Sequence, residues 1–428
     1  MAVIRKREKP EKSKSKKTKK SKSEMTQINK NEITGINKKT IEDINVSGKR
    51  VIVRVDFNVP MGANHQIMDD SRIRAALPTI NYLIEHDAKV ILMSHLGRPK
   101  GIVNLEFSLE PVALHLSNLL GKAVFFSRDC VGEEPKKLIA NMKMGDVLLL
   151  ENLRFYSMEE KNDAIFASQL ASLADLYVND AFGTAHRAHA STEGIAHYLP
   201  AVSGFLLEKE LKGIGTALQN PDHPFVAIIG GAKVSDKIGV IENLLKIADK
   251  LLIGGGMANT FLAAQGHDMQ KSLVESERLE WAKEMLSWDI AKEKLLLPSD
   301  LVVASNMDSP DAAKLVTPEA VPEGFAAFDI GPKTIEAYSE EVKKAKTIVW
   351  NGPMGVFEKK GFEKGTIDLA HSIANAEGFS IVGGGDSVAA INLARLASKI
   401  DHTSTGGGAS LDFLAGKKLP GVEALLNK

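Results

Sequence analysis

The feature that most constrains this chain is a pattern that repeats from Gly48 onward. A short run rich in valine and isoleucine is followed by a glycine or polar turn, then by a stretch whose apolar residues recur every three or four positions. In the first half the runs are VIVRVDF, KVILMS, AVFF, DVLLLEN and LYVND. In the second half they include FVAIIGG, KLLIGG, LLLPSDLVV, TIVWNG and SIVGGGD. Between them, RIRAALPTINYLIEHD, SDKIGVIENLLKIAD and RLEWAKEMLSWDIAKEK carry helical spacing. Strands that are apolar throughout and alternate with helices predict an α/β fold with parallel sheets covered on both faces. At 428 residues the chain exceeds what one core supports, so two doubly wound domains in series are expected, with two cores. The seam is expected between Tyr198 and Leu211, where LP and SG punctuate the chain. That places one domain at 32–201 and the other at 202–413.

Charge sets one segment apart. Residues 1–24 carry 11 Lys or Arg against 3 Glu, whereas the remainder carries 43 basic and 51 acidic residues. A run such as KSKSKKTKKSKS offers no apolar side chains to offset the entropy of ordering, so residues 1–31 are expected to be a disordered, Lys-rich extension. It reads as a solvated tail, and its Lys-rich, non-amphipathic character does not fit an organellar transit peptide. No apolar run approaches the ~20 residues that span a bilayer, so no membrane partner is expected. The acidic body, with 6% aromatic residues, argues against nucleic-acid binding by the folded part. The single Cys130 can form no disulfide within the chain; it reads as a small packing residue in a reducing, cytoplasmic setting.

Ligands of open parallel sheets sit at the carboxyl ends of the strands, so the residues after each strand are the ones to read. In the first half these are Asp56 and Asn58, then His95 and Arg98, then Arg154 and Arg187, while Arg72 opens the helix RIRAALP. Singly, each arginine is as readily a surface residue paired with a carboxylate, and Asp56 and Asn58 are as readily turn formers. Gathered on one sheet edge they would repel one another unless an anion filled the space. Guanidinium forks match phosphate and carboxylate geometry, so the expected ligand is small and strongly negative. His186 and His189 stand three apart, but no thiol or HExxH pattern accompanies them and no zinc site is expected.

Second-half strands run instead into glycine loops: GGAKVSDK from Gly230, GGGMANT from Gly254, WNGPMG from Trp350 and GGGDS from Gly383. Glycine lets a ligand approach the backbone, and the helix N-termini that follow offer free N–H groups to phosphates. Each loop alone could serve close helix–strand packing; four on one edge favour a nucleotide. None is a Walker A loop or a GxGxxG fingerprint, which weighs against the main rival, a nucleotide-dependent oxidoreductase. Lys233 and Lys237, four apart, are expected to share a face where a helix begins, a poor place for two ammonium groups unless a triphosphate lies there. Asp386 can serve as an N-cap or as a magnesium ligand.

VDFNVP, SHLGRP, ENLRF, NDAFGTAHRAH, GGAKVSDKI, GGGMA, VWNGPMGVFE, GGGDS and STGGGASL together resemble, in order and spacing, the signatures of phosphoglycerate kinases. The resemblance runs from about Glu32 to the C-terminus. It implies two Rossmann-like parallel-sheet domains joined by a hinge, with residues 414–428 returning to the first. It implies a monomeric glycolytic enzyme that moves a phosphoryl group between MgATP and the carboxylate of 3-phosphoglycerate. Asp56, Asn58, Arg72, His95, Arg98, Arg154 and Arg187 would hold 3-phosphoglycerate. Gly231, Ala232, Lys233, Lys237, Gly255, Asn351, Pro353, Val356, Glu358, Gly384, Gly385, Asp386 and Ser387 would surround the nucleotide, with Asp386 serving Mg²⁺. Arg72, Lys233, Lys237 and Gly385 would act on the phosphoryl in flight. Hinge bending is expected in 199–211 and in Ser404–Ser410. Asn259 departs from the family, where many members carry an aromatic residue after GGGMA.

Overall fold

A computed structural model of the protein describes residues 37–308 and 310–428, so the expected disordered extension at 1–31 lies outside the described residues. The first half contributes strands β1 (Arg50–Val55), β2 (Lys89–Met93), β3 (Val124–Ser127), β4 (Val147–Leu150), β5 (Leu176–Asp180) and β6 (Ala201–Ser203). They form one parallel sheet in the order β3-β4-β2-β1-β5-β6. The second half contributes β7 (Phe225–Ile229), β8 (Lys250–Ile253), β9 (Leu295–Leu296), β10 (Leu301–Ala304), β11 (Lys314–Val316), β12 (Ala326–Ile330), β13 (Thr347–Asn351), β14 (Phe379–Gly383) and β15 (His402–Thr403). Six of these make a second parallel sheet, β15-β14-β13-β7-β8-β9. In each sheet the chain winds outward from the first strand, then returns to pair on its other side. The switch points therefore fall beside β1 and β7, where ligands of such sheets bind.

Alternation along the strands explains the layering. Val51, Val53 and Val55 of β1 point into one buried cluster, while Ile52 points into another on the opposite face. The second sheet repeats this, with Ile228 and Trp350 on one side and Ala227 and Ile229 on the other. Two separate cores were expected, yet one cluster runs from Ile52 and Ile91 through Leu207, Leu211 and Ile214 to Ile229 and Leu251. The helix Phe205–Gln219 carries that continuity, because its leucines and Ile214 pack toward both sheets.

Three local expectations change. LLLPSDLVV does not form one strand: proline cannot donate to a ladder, and around Pro298 the run divides into β9 of the parallel sheet and β10 of a separate antiparallel sheet, β11-β10-β12. RLEWAKEMLSWDIAKEK breaks at Trp288, whose extended backbone separates the helices Leu279–Ser287 and Asp289–Lys294. The helix expected to begin within GGAKVSDK begins only at Ile238.

β6 straddles the expected domain boundary at 201/202 and still pairs with β5. Beyond it, Asp180 Oδ1 accepts from the Leu206 and Leu207 amides, which fastens the start of the helix Phe205–Gln219 to the end of β5. Further along that helix, buried Glu210 accepts from the Thr405 amide and hydroxyl and pairs with buried His402 at 2.9 Å. The C-terminal residues lie against first-half strands: Leu426 N donates to Ala201 O, and Asn179 Nδ2 donates to Gly421 O.

Candidate active site

The turns after β1, β2, β4 and β5 bring a cationic cluster together. At its centre is His95, buried, its imidazole pushed well below its usual pKa by desolvation and by the nearby guanidinium groups of Arg54, Arg154, Arg187 and Arg72. His95 is therefore neutral, and its Nδ1 lies 3.1 Å from Arg54 Nη2. Arg72 Nη1 donates to Asp56 Oδ2 at 2.8 Å, which aims Arg72 from its helix back toward the strand ends. Asn58 Oδ1 accepts from Gly97 N at 2.8 Å and Arg154 Nη1 donates to Gly97 O at 2.9 Å, so the two residues pin the SHLGRP loop from either side. Buried Arg154 also pairs with Glu160 at 3.2 Å. Arg187 donates to His186 Nε2, and Arg98 is exposed, making no hydrogen bond or ion pair with the described residues.

Arg54 was not among the expected residues, and it matters most for the geometry. It lies inside β1, is almost fully enclosed, and donates Nε to Ser191 Oγ at 2.8 Å and Nη1 to Val55 O. Ser191 in turn donates to Glu159, a buried carboxylate whose pKa burial raises. A signal was present: one arginine interrupts an otherwise apolar strand, VIVRVDF, and a buried charge needs partners.

The glycine loops of the second half are stitched to one another through backbone. Gly230 N donates to Asn351 O, Gly231 N to Pro353 O, Gly255 N to Met354 O and Met257 N to Gly231 O. At Gly255, φ is +68° and an added Cβ would stand 2.7 Å from the nitrogen and oxygen of Gly231, so no other residue fits without displacing the neighbouring loop. Ser387 Oγ accepts from Gly352 N at 2.6 Å, and Gly384 caps the helix Gly385–Leu393 with φ +91°.

The two lysines do not share a face, because no helix contains Lys233. Lys233 is exposed and makes no hydrogen bond with the described residues. Lys237 is enclosed: Nζ donates to Gly230 O, Asn351 O and Asn351 Oδ1, which uses all three of its protons. Burial lowers its pKa to about 8 against the opposing pull of Asp386 and Asp236. Asn351 Nδ2 is buried without a partner. Asp386 is not the N-cap; it occupies the first helical turn, exposed, accepting no hydrogen bond from the described residues.

A cavity of about 570 Å³ adjoins this cradle and is lined by Gly231, Ala232, Gly255, Pro353, Val356, Glu358 and Asp386 of the expected nucleotide residues. A larger one, about 640 Å³, is lined by Phe205, Lys212, Phe379 and others, and borders none of the expected site residues. Cys130 is buried, its Sγ donating to Glu151 O, and takes no part in either site. Among the described residues, no group of three or more His, Cys, Asp or Glu could hold a metal ion, and no helix is long and apolar enough to cross a membrane.

A family model described as phosphoglycerate kinase matches residues 41–417. The phosphoglycerate kinase of Moorella thermoacetica is 60% identical over 386 residues, covering 90% of this chain and 98% of the relative. That of Desulforudis audaxviator is 57% identical with the same coverage. Among solved structures, phosphoglycerate kinase from Coxiella burnetii aligns with a TM-score of 0.83 at 44% identity, again over 90% of this chain and 98% of the other. The Pyrococcus horikoshii enzyme aligns at 0.78 and 37%, with equal coverage.

Proposed function

This chain belongs to the phosphoglycerate kinase family and transfers a phosphoryl group between ATP and the carboxylate of 3-phosphoglycerate; on that premise we propose how its residues divide the work. The observation that carries the assignment is the convergence of Arg54, Arg72, Arg154 and Arg187 on a neutral, buried His95. A preassembled cluster of that charge suits a substrate bearing both a phosphate and a carboxylate. Arg154 and Arg187 grip the substrate, joined by exposed Arg98. Asn58 and Asp56 shape the loop and aim Arg72, with His95 available as a neutral hydrogen-bonding group.

The accepting carboxylate is ionised at neutral pH, since its pKa is about 4. No general base is needed, and catalysis is positioning plus charge neutralisation. Arg72 from the first half and unencumbered Lys233 from the second flank the transferring group. Lys237 contributes a fixed charge while tying Gly230 to Asn351. Gly384 and Gly385 present the amides of a helix N-terminus to the phosphates, where Asn351 Nδ2 and Ser387 lie close at hand.

Exposed Asp386, accepting no hydrogen bond and standing beside the Lys237 charge, suits Mg²⁺, which takes one or two carboxylates and completes its shell with water and phosphate. When bound, Mg²⁺ would neutralise charge on the phosphate oxygens. Closure by the helix Phe205–Gln219 and the Ser404–Ser410 segment would join domains at 32–201, with 414–428, and 202–413. We also propose a cytoplasmic monomer, since one chain supplies both sites and its lone thiol is buried.

A coupled assay tests this reading: turnover should require 3-phosphoglycerate, ATP and Mg²⁺ together. Arg187→Ala should raise KM for 3-phosphoglycerate and leave that for ATP unchanged. A rise in KM for ATP instead would overturn the division.

A further inference from the structure

Two buried polar side chains that the chemistry above does not use line the nucleotide cavity, Asn259 and Asp329. Asn259 lies in the helix Gly255–Ala264, is 2% exposed and lines the cavity. At 1.5 Å of rise per residue it stands about 6 Å along the helix from Gly255, where the backbone cradle ends. Its carboxamide makes no hydrogen bond with the described residues, although its neighbours are satisfied: Thr260 Oγ1 accepts from Glu275 N and Ser272 Oγ from Ala327 N. Nor is the amide sealed away, as Asn351 Nδ2 and Asp329 Oδ1 are, so it opens onto the cavity. Leu273, Leu301, Ala326 and Phe328 give the cavity apolar lining, alongside polar Lys271, Ser305 and Glu358.

A buried amide without a protein partner leaves hydrogen-bonding capacity unmet, and a ligand in the cavity that bonds to it gains by meeting it. We propose that Asn259 is a specificity-determining residue that reads the hydrogen-bonding edge of the purine base, an inference that rests on the nucleotide assignment above. A carboxamide sets a donor beside an acceptor, the pair that complements the 6-amino group and adjacent ring nitrogen of adenine. Half a turn of the amide exchanges the two and complements the 6-oxo group and ring N–H of hypoxanthine. Asn259 therefore adds affinity for a purine edge over a bare triphosphate while accepting either purine.

The test is calorimetric binding of ATP, ITP and inorganic tripolyphosphate to the full chain and to Asn259→Leu, which keeps the branched shape and removes the amide. ATP and ITP should bind the unchanged chain within about tenfold of each other. The substitution should weaken both about tenfold, the effect of one lost hydrogen bond, and leave tripolyphosphate unchanged. ATP affinity unmoved by Asn259→Leu, or tripolyphosphate weakened in parallel, would overturn the proposal. Asn259→Asp guards against misfolding of the leucine variant: it exchanges the amide donor for a charged acceptor and should shift the ATP-to-ITP affinity ratio, in which the added charge cancels, and an unmoved ratio overturns the inference. Failure of ATP to bind the unchanged chain would sink the nucleotide assignment itself, a distinguishable outcome.

Discussion

The two halves use the same sheet design and solve anion binding in opposite ways. The first half builds its site from side chains: guanidinium groups supplied by Arg54, Arg72, Arg154 and Arg187 surround His95, each held by a carboxylate, a carbonyl, a hydroxyl or, for Arg187, the His186 imidazole. The second half builds from backbone, with glycines at 231, 255, 352 and 384 in left-handed conformations and lysine used sparingly. Side-chain charge suits a small ligand that must be gripped from several directions. Backbone amides suit a polyphosphate laid along a helix N-terminus, where dipoles act without long side chains to order. If that contrast is right, substitutions in the first half should act through charge and those in the second through shape.

The largest effect should come from the two cations assigned to the moving group. Arg72→Ala or Lys233→Ala should lower kcat by about 10²- to 10³-fold, the cost of removing one electrostatic stabiliser of a transition state. Substrate affinities should change far less, as saturation kinetics will show. If affinity falls and kcat stays intact, both residues are ordinary anchors and the transition-state clamp lies elsewhere.

Shape is probed at Gly255. Gly255→Ala forces a Cβ against the Gly231 backbone at a φ that costs roughly 1–2 kcal/mol for any other residue, so nucleotide affinity should fall about tenfold or more. Binding of 3-phosphoglycerate should be untouched, and titration of the two ligands in turn would show it. Equal losses for both would mean that the halves are not separable in this way.

The same contrast governs how much could be read from the sequence. Strand cores were legible because parallel strands buried on both faces are apolar without interruption, as in DVLLLEN and FVAIIGG. β6, β11, β12 and β15 were missed: they are short or partly exposed, and nothing in their composition separates them from loop. Charged ligand candidates could be named one by one because arginine after a strand is a chemical statement. Arg54 escaped because it lies within a strand rather than after it, where pattern reading assigns side chains to the core. Glycine loops announced a nucleotide but not their internal wiring. That Lys237 would turn inward to three oxygens while Lys233 stays free depends on the helix starting at Ile238, which the spacing of two lysines cannot reveal.

Lys237 gives one place where the second half depends on a titrating charge. Its pKa of about 8 lies below the usual 10.5, so the charged form is disfavoured by the fold; its contribution to stability should improve as pH rises through 8 toward 10.5. Nucleotide affinity should move the other way, because the polyphosphate prefers the ammonium. Between about pH 7 and about pH 9.5 the Kd for ATP should rise about tenfold, as for one lost charge-assisted hydrogen bond. Lys237→Met should abolish that pH dependence, along with the matching rise in thermal stability relative to the unchanged chain. A slope surviving in Lys237→Met would assign the titration to another group.

The smallest effect separates local from bulk charge. Residues 1–24 carry a surplus of eight positive charges and the remainder an equal deficit, so deleting them leaves an acidic protein that must still attract two anionic substrates. If arginines held close to His95 dominate, the long-range penalty is confined to low salt, because charges beyond the Debye length of about 8 Å at physiological ionic strength are screened. The truncated chain should then show kcat unchanged and KM values raised by less than about twofold at low ionic strength, with the difference gone near 0.15 M salt. The family match begins at residue 41, consistent with chemistry that does not draw on the extension. A fall in kcat on truncation that salt does not erase would mean that the extension acts at the site directly, and the two-region account would need a third member.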